Sequence, residues 1–430
     1  MAGEWKTERL TALCEQIADC PHSTPTWTDS GALVLRSQNI RNGRLDLSTR
    51  SYTDEAHFEQ RSRRARLRAG DLVITREAPM GEVCIIPEGF RCCLGQRMVM
   101  LRPNAKKCDS RFLLYAIQSR AVQDEIKVNE GTGSTVSNLR IPLLEALPIS
   151  HPPLAEQKAI AHILGTLDDK IELNRRMNAT LEAMARALFQ SWFVDFAPVR
   201  AKLDGRKPAG LDVATAALFP AHFQDSALGH IPQGWEVRSL DQIAQFLNGL
   251  ALQKYPPGDG PTLPVIKIAQ LRKGDSEGAD RCNTELAPQY VVKDGDVLFS
   301  WSGSLEVELW CGGQGALNQH LFKVTSPEFP KWFYYLWTLY HLDEFRLIAA
   351  GKATTMGHIQ RGHLTAAKAL VPPPALLKVM TKIMAPLIDQ IIANQTQSCT
   401  LATLRDALLP KLLSGELSVV VGAEKESVVA

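Results

Sequence analysis

The chain has 430 residues, long for one hydrophobic core, and its 45% hydrophobic and 22% charged content is ordinary for a soluble protein. No run approaches about 18 uninterrupted apolar residues, which excludes a helical membrane span, and Met1-Ala2-Gly3-Glu4-Trp5-Lys6 lacks an apolar signal core. The net charge of +2 decides little, but residues 1–150 carry 21 Lys/Arg against 18 Asp/Glu and residues 231–372 carry 13 against 14, so a polyanion bound by both regions needs a local patch in the second.

Residues 1–151 mix short apolar runs with Gly, Pro and Asn. Val34-Leu35 leads into Asn42-Gly43, Leu72-Val73-Ile74 follows Gly70-Asp71, and Val83-Cys84-Ile85-Ile86 stops at Pro87, all of which read as short strands. Phe112 to Ile126 reads as a helix, so this unit is α+β. Over residues 152–195 the period changes. Ile160, Leu164, Leu167, Ile171, Asn174, Asn178, Leu181, Ala185, Leu188 and Trp192 recur in steps of four and three, a heptad seam on a helix preceded by Pro152-Pro153. Residues 196–230 read as a linker, with apolar Phe193 just before it and Phe196 at its start. A second unit spans 231–371, and a second rod spans 372–415 with Met380, Met384, Leu387, Ile391, Asn394, Ser398, Leu401, Arg405, Leu408 and Leu412 on the same steps. Ser414-Gly415 is its stop signal, and 416–430 is a tail. Two such seams predict that the rods pair with each other; separate homodimers are the alternative.

The second half repeats the first. At an offset of 220, Gly131-Thr132-Gly133-Ser134-Thr135 falls on Gly351-Lys352-Ala353-Thr354-Thr355, Pro152-Pro153 on Pro372-Pro373, and Asn174 on Asn394. Upstream the offset drifts, with Gly70-Asp71 on Gly295-Asp296 and Trp5 on Trp235. A constant offset marks an invariant spacer, and a drifting one marks loops of different length on a shared scaffold. Asn174 and Asn394 each lie near the middle of a rod, which makes them candidates to face each other where the helices cross and to set register.

No phosphate-binding G-x-x-x-x-G-K-[ST], H-E-x-x-H or G-x-S-x-G occurs. The nine cysteines include no C-x-x-C and no zinc spacing, so free thiols in a cytoplasmic protein and no metal site are expected. Asp168-Asp169 sit in the rod, where they read as a solvated helix face rather than paired catalytic carboxylates. A binding device fits better than an enzyme. Arg61-Ser62-Arg63-Arg64-Ala65-Arg66-Leu67-Arg68 can line a phosphate path, with Arg63, Arg64 and Arg66 as contacts. Thr132, Ser134 and Thr135, and Lys352, Thr354 and Thr355, lie on small-residue loops that suit phosphate. Arg36, Asn39 and Arg41 pair with Lys267, Gln270 and Arg272 as candidate base readers. So do Thr75 and Arg76 with the stretch ending at Ser302, and Gln96 and Arg97 with Gln319 and His320.

Pro152-Pro153-Leu154-Ala155-Glu156-Gln157-Lys158-Ala159-Ile160 through Leu167-Asp168-Asp169-Lys170-Ile171, then Leu181 to Phe189, resembles the central spacer of DNA-specificity subunits of type I restriction–modification enzymes. Gly70-Asp71-Leu72-Val73-Ile74-Thr75-Arg76 and Ile231-Pro232-Gln233-Gly234-Trp235-Glu236-Val237 resemble that family's domain landmarks. The second rod departs, with Leu376-Leu377 where the first has Glu156-Gln157. The resemblance implies an α+β fold with two similar target-recognition domains joined by two long antiparallel coiled-coil helices, a pseudo-two-fold internal repeat. It also implies that each domain reads half of a bipartite site in double-stranded DNA, with the rods setting the gap. The partners would be two adenine methyltransferase subunits and up to two restriction subunits. S-adenosylmethionine, ATP and Mg2+ would reside on those partners and no cofactor on this chain, which would itself catalyse nothing. Two other readings stand beside it: the recognition half of a simpler bifunctional restriction–methylation enzyme, and a tandem-repeat scaffold that binds proteins.

Overall fold

The computed structural model describes residues 5–128, 138–351 and 357–419. The chain divides into two compact units, the first made of residues 1–169 and 402–430 and the second of residues 170–401. Among the described residues no helix is long and apolar enough to cross a membrane.

In the first unit an antiparallel sheet runs in the order Cys14–Asp19, Met98–Pro103, Leu72–Thr75, Val83–Ile85. Every residue of Leu72–Thr75 is buried, so this strand is covered on both faces, and its apolar run Leu72-Val73-Ile74 does not alternate with polar residues. A second sheet sets Ala32–Leu35 parallel to Cys92–Leu94, and Lys6–Arg9 pairs with Pro148–His151. Helix Ser110–Gln118 starts at Asp109, whose carboxylate accepts from the Phe112 N–H at 3.0 Å. The single helix expected over 112–126 is broken at Ser119, and a second helix covers Arg120–Val128. The Ser119 hydroxyl donates to the Ala116 carbonyl at 2.7 Å and accepts from the Val122 N–H at 3.4 Å, the local competition that makes serine a helix boundary.

The second unit repeats this plan. Its antiparallel sheet runs Gln245–Asn248, Leu321–Thr325, Val297–Ser300, Val307–Leu309. Thr262–Ile266 lies parallel to Gly315–Leu317, and Glu236–Ser239 pairs with Lys368–Val371. Even the rungs agree: Thr75 opposes Met98 in one sheet and Ser300 opposes Leu321 in the other. The internal repeat is therefore structural. Residues 196–230, expected as a linker, instead form helices Ala197–Leu203 and Val213–Leu218 and the hairpin Phe223–Ser226 with Gly229–Pro232. Phe193 is buried against Trp235, Trp332, Phe333 and Trp337, with ring centroids 5.3–6.1 Å apart. Aromatic side chains bury too much area to stay in a solvated tether when such a core is within reach.

The long helices span Leu154–Phe189 and Pro374–Leu413. In the first unit Ile160, Leu164 and Leu412 enter the core. In the second, Ile171, Asn174, Asn178, Ala185, Met380, Met384, Ile388, Ile391 and Asn394 are buried. The helices run antiparallel there, since Asn174 meets Ser398 and Asn178 meets Asn394. This corrects the expected Asn174–Asn394 amide pair. The crossing is centred between Asn174 and Asn178, so each amide meets the residue one turn away from its own counterpart. Asn174 Nδ2 reaches only the backbone carbonyl of Asn394, at 3.2 Å. Gln157 is fully buried, accepting from the Asp109 N–H and donating to the Lys107 and Pro152 carbonyls. Its motif position thus serves an internal lock on helix Ser110–Gln118.

Candidate nucleic-acid interface

The two equivalent turns after the central strands show how one backbone carries different side chains. Thr75 does not face solvent. Its hydroxyl donates to the Pro79 carbonyl at 2.6 Å and accepts from the Glu82 N–H at 3.0 Å. Ser300 makes the same closure with Ser304 at 2.6 Å and Glu306 at 2.8 Å. Thr75, expected as a DNA contact, is a turn-closing residue. The next residue differs in kind but not in backbone role. Arg76 N–H donates to the Arg97 carbonyl and its own carbonyl accepts from Leu139 N–H, just as Trp301 N–H donates to His320 and its carbonyl accepts from Ile359.

The side chains then diverge. Arg76 forms an ion pair with Asp19 at 3.1 Å and donates to the Leu139 carbonyl at 2.9 Å and to Asn138 at 3.2 Å. Trp301 Nε1 donates to Asn248 at 2.9 Å and to the Gln319 carbonyl at 3.2 Å. Asp19 and Asn248 hold the same rung, opposite Val99 and Phe322. Arg97, in the left-handed region at φ 66°, pairs with Glu77 at 3.0 Å. His320 Nδ1 lies 2.9 Å from Ser302 Oγ, and its other ring nitrogen lies 3.3 Å from the Gln319 amide. Gln96 donates to the His22 carbonyl at 2.8 Å. Arg76 and Ser302, expected to read bases directly, are enclosed and engaged inside the protein. Arg97, Gln96, Gln319 and His320 keep an exposed or half-exposed side.

A second pair of equivalent segments gives a similar result. Asn39 is buried: its Oδ1 accepts from Arg36 N–H at 2.9 Å, and its Nδ2 donates to the Asp46 and Thr49 carbonyls at 2.9 and 2.7 Å. Gln270 caps in the same way, accepting from Lys267 N–H at 3.3 Å. The Asn39 amide is thus fully engaged and not free to read adenine, while half-buried Gln270 commits only its oxygen; both fix the start of a helical turn. Around them stand exposed cations. The Arg36 guanidinium lies 5.4 Å from the ring centre of Trp27, a half-exposed tryptophan that sequence reasoning does not single out. Arg41 and Arg272 are exposed, and Lys267 is paired with Asp280.

The arginine run is of mixed character. Arg61 is buried, with its guanidinium donating to the carbonyls of Leu94 at 2.9 Å, Ser23 at 2.9 Å and Pro21 at 3.4 Å. Burial pulls its pKa down from the ordinary arginine value. Arg63 and Arg64 are exposed and form no ion pair among the described residues. Arg66 is exposed but paired with Glu59 and set over the Phe58 ring. Thr132, Ser134, Thr135, Lys352, Thr354 and Thr355 lie outside the described residues. Among the described residues no group of three or more His, Cys, Asp or Glu side chains could hold a metal ion.

Asp168 departs most from expectation. Asp169 lies on the solvated face as expected, paired there with exposed Arg111 through two bonds of 2.8 and 2.9 Å, whereas Asp168 is half-buried among Arg44, Arg405 and Tyr115.

Comparison with known proteins agrees with this two-unit plan. Residues 4–183 and 232–401 each match the type I restriction modification DNA specificity domain. The specificity subunit of the type I restriction enzyme MjaIX of Methanocaldococcus jannaschii is 28% identical over 359 residues, covering 81% of this chain and 78% of that protein. The HindI specificity subunit of Haemophilus influenzae is 23% identical, over 75% of this chain and 80% of that one. Among solved structures, the S subunit of a type I restriction–modification system from M. genitalium shares the fold with a TM-score of 0.56 at 16% identity, over 95% of this chain and 96% of that one.

Proposed function

Because the chain belongs to the type I restriction modification DNA specificity family, we propose that it reads an asymmetric two-part site in double-stranded DNA, one part through each unit, and catalyses nothing itself. One observation carries the asymmetry. The same turn on the same rungs holds Arg76 with Asp19 in the first unit and Trp301 with Asn248 in the second. Beside them stand Arg97 in one and His320 in the other. Guanidinium and imidazole offer different donor patterns to base edges, so units built alike would select different bases.

In this reading the chain works in the cytoplasm as the recognition part of a complex. Two methyltransferase subunits would bind S-adenosylmethionine and methylate adenine, and up to two restriction subunits would supply ATP- and Mg2+-dependent cleavage. Leu173, Met177 and Met184 support such docking. They are exposed and share one face of the first long helix, away from its buried seam. Apolar rows of this kind mark protein-binding surfaces.

Mapping of methylated adenines in DNA from cells that express the chain with its methyltransferase partner tests the reading. An interrupted motif with two unlike halves is expected. A perfect palindrome would overturn the assignment of a different half-site to each unit.

A further inference from the structure

Asp168 connects three elements of the first unit. Its Oδ1 accepts from Arg405 at 2.7 Å and from Arg44 at 3.0 Å, and its Oδ2 accepts from the Tyr115 hydroxyl at 2.6 Å. Arg405 lies on the second long helix, Tyr115 on helix Ser110–Gln118, and Arg44 on a hairpin. In that hairpin Arg44 stands directly opposite Arg41. Asn42 and Gly43 form its turn with φ of 49° and 79°, the left-handed pair of a tight hairpin. The tip is held too: Asn42 N–H donates to Glu82 at 2.8 Å, and a Cβ on Gly43 would fall 2.5 Å from the Gln118 amide.

This arrangement treats the two guanidiniums of one rung differently. Like charges directly across a strand pair repel. Asp168 neutralises Arg44 and draws it toward the helix, while Arg41 is exposed and has no ion pair among the described residues. Burial opposes ionisation of Asp168, but the Tyr115 hydroxyl, Arg405 and Arg44 outweigh it and hold its carboxyl below the usual carboxylate range. The anchor is therefore charged at neutral pH.

We propose that Asp168 is a positioning residue for DNA reading: through Arg44 it fixes the 40–45 hairpin that presents Arg41 to a base edge or phosphate, and through Arg405 it ties that hairpin to the second long helix. The proposal rests on the reading of this chain as a DNA-specificity subunit. The hairpin is only two residues long on each strand, and isolated pairs of that size are not stable alone. Buried Ile40, with Leu45 packed beside it, seats one face of the hairpin on the core, and the bonds to Arg44 and to the tip fix the face that carries Arg41.

The test uses the complex of the full chain with its methyltransferase partner. Methylation rates are measured on duplexes that carry the mapped site and on duplexes changed one base pair at a time. R41A is expected to lose about tenfold in discrimination at one or two adjacent base pairs, and D168N and R44A should lose it at the same positions. The R41A/D168N double variant should be no worse than R41A, because Asp168 acts through Arg41. R405A, which removes only the arm to the second helix, should lower the melting temperature yet keep discrimination. R44A leaves the helix pair untouched and so answers the question even if D168N folds poorly. Full discrimination by R44A and D168N where R41A loses it would reduce Asp168 to a structural tie and overturn the proposal. Full discrimination by R41A would overturn it as well, while leaving the specificity-subunit reading intact. A wild-type complex that methylates without sequence preference would overturn that reading itself.

Discussion

Asn394 donates a hydrogen bond to Asn178 at 2.9 Å, inside the buried seam of the antiparallel helices of the second unit. Around this bond Asn178 donates to the Ile391 carbonyl at 3.1 Å, and Asn174 donates to Gln397 at 2.9 Å and Ser398 at 3.2 Å. A slipped register strands these amides away from their partners in an otherwise apolar seam. N178L alone is expected to cost about 1–3 kcal/mol, because it leaves the Asn394 amide buried without its acceptor. The N178L/N394L double variant should recover most of that loss, as paired apolar replacements do. Denaturant unfolding of both variants, with the wild type, checks the order. Methylation of sites with one base pair more or fewer between the halves should become less selective in the double variant.

Salt dependence separates the arginines of residues 61–68. Arg63 and Arg64 are exposed, so R63A and R64A should each flatten the slope of log affinity against log salt by about one unit, with no preference among sequences. R61A should behave differently. It strands three backbone carbonyls and is expected to destabilise the fold by about 1.5–3 kcal/mol, the range for a hydrogen bond to a charged group, with the salt slope of the folded protein unchanged. Binding titrations at several salt concentrations, alongside thermal melts, distinguish the two outcomes. An unchanged slope in R63A/R64A would leave these side chains as a solvated surface.

What could be read from the chain divides by the range of the interaction. The heptad positions of both long helices are legible because each seam residue repeats a local rule. Ile160, Leu164, Ile171, Asn178, Met380, Met384 and Ile391 are buried as that rule requires, but Ile388 is buried in place of the expected Leu387, and Arg405 on the expected seam engages Asp168. The short strands at Leu72–Thr75 and Val83–Ile85 are legible from apolar runs between turn residues. Polar side chains in the units are not, because their partners are remote in sequence. Arg61 finds its carbonyl at Leu94, Arg76 its own at Leu139, and Asp168 pairs with Arg405 across 237 positions. Residue type alone makes Asn39 and Thr75 look like DNA contacts. Only the fold shows that the Asp46 and Pro79 carbonyls already engage them. Residues 196–230, entered from Phe193, read as a linker for the same reason, since the core that receives Phe193 is built mainly from residues 332–337.

Acid stability gives an independent view of Asp168. Its folded pKa lies below the ordinary carboxylate value, so the unfolded chain holds the proton more tightly. The resulting stability is fully present above the ordinary value, about 4, and is lost as pH falls through the lowered folded value. D168N is expected to be less stable than wild type at neutral pH and to approach it as pH falls below about 4. Urea unfolding at pH 7 and at successive pH values downward from the ordinary carboxylate value, about 4, follows the gap as it closes. A constant gap would place the loss in packing rather than in the carboxylate charge.

Trp27 is 46% exposed and its ring supports the Arg36 guanidinium. An exposed cation–π contact contributes about 0.5–1 kcal/mol, so W27A is expected to leave the melting temperature nearly unchanged. Its effect on DNA should be larger than its effect on folding. The ring limits the positions open to Arg36, and a guanidinium with restricted motion loses less entropy when it forms a bidentate contact to guanine. W27A and R36A should therefore weaken binding of the specific site by similar factors, several-fold each, and the double variant should be little worse than either single change. Competition titrations with specific and scrambled duplexes provide the readout. Independent, additive losses from the two substitutions would mean that Trp27 and Arg36 contact DNA separately, and an unchanged affinity in both would remove this surface from the interface.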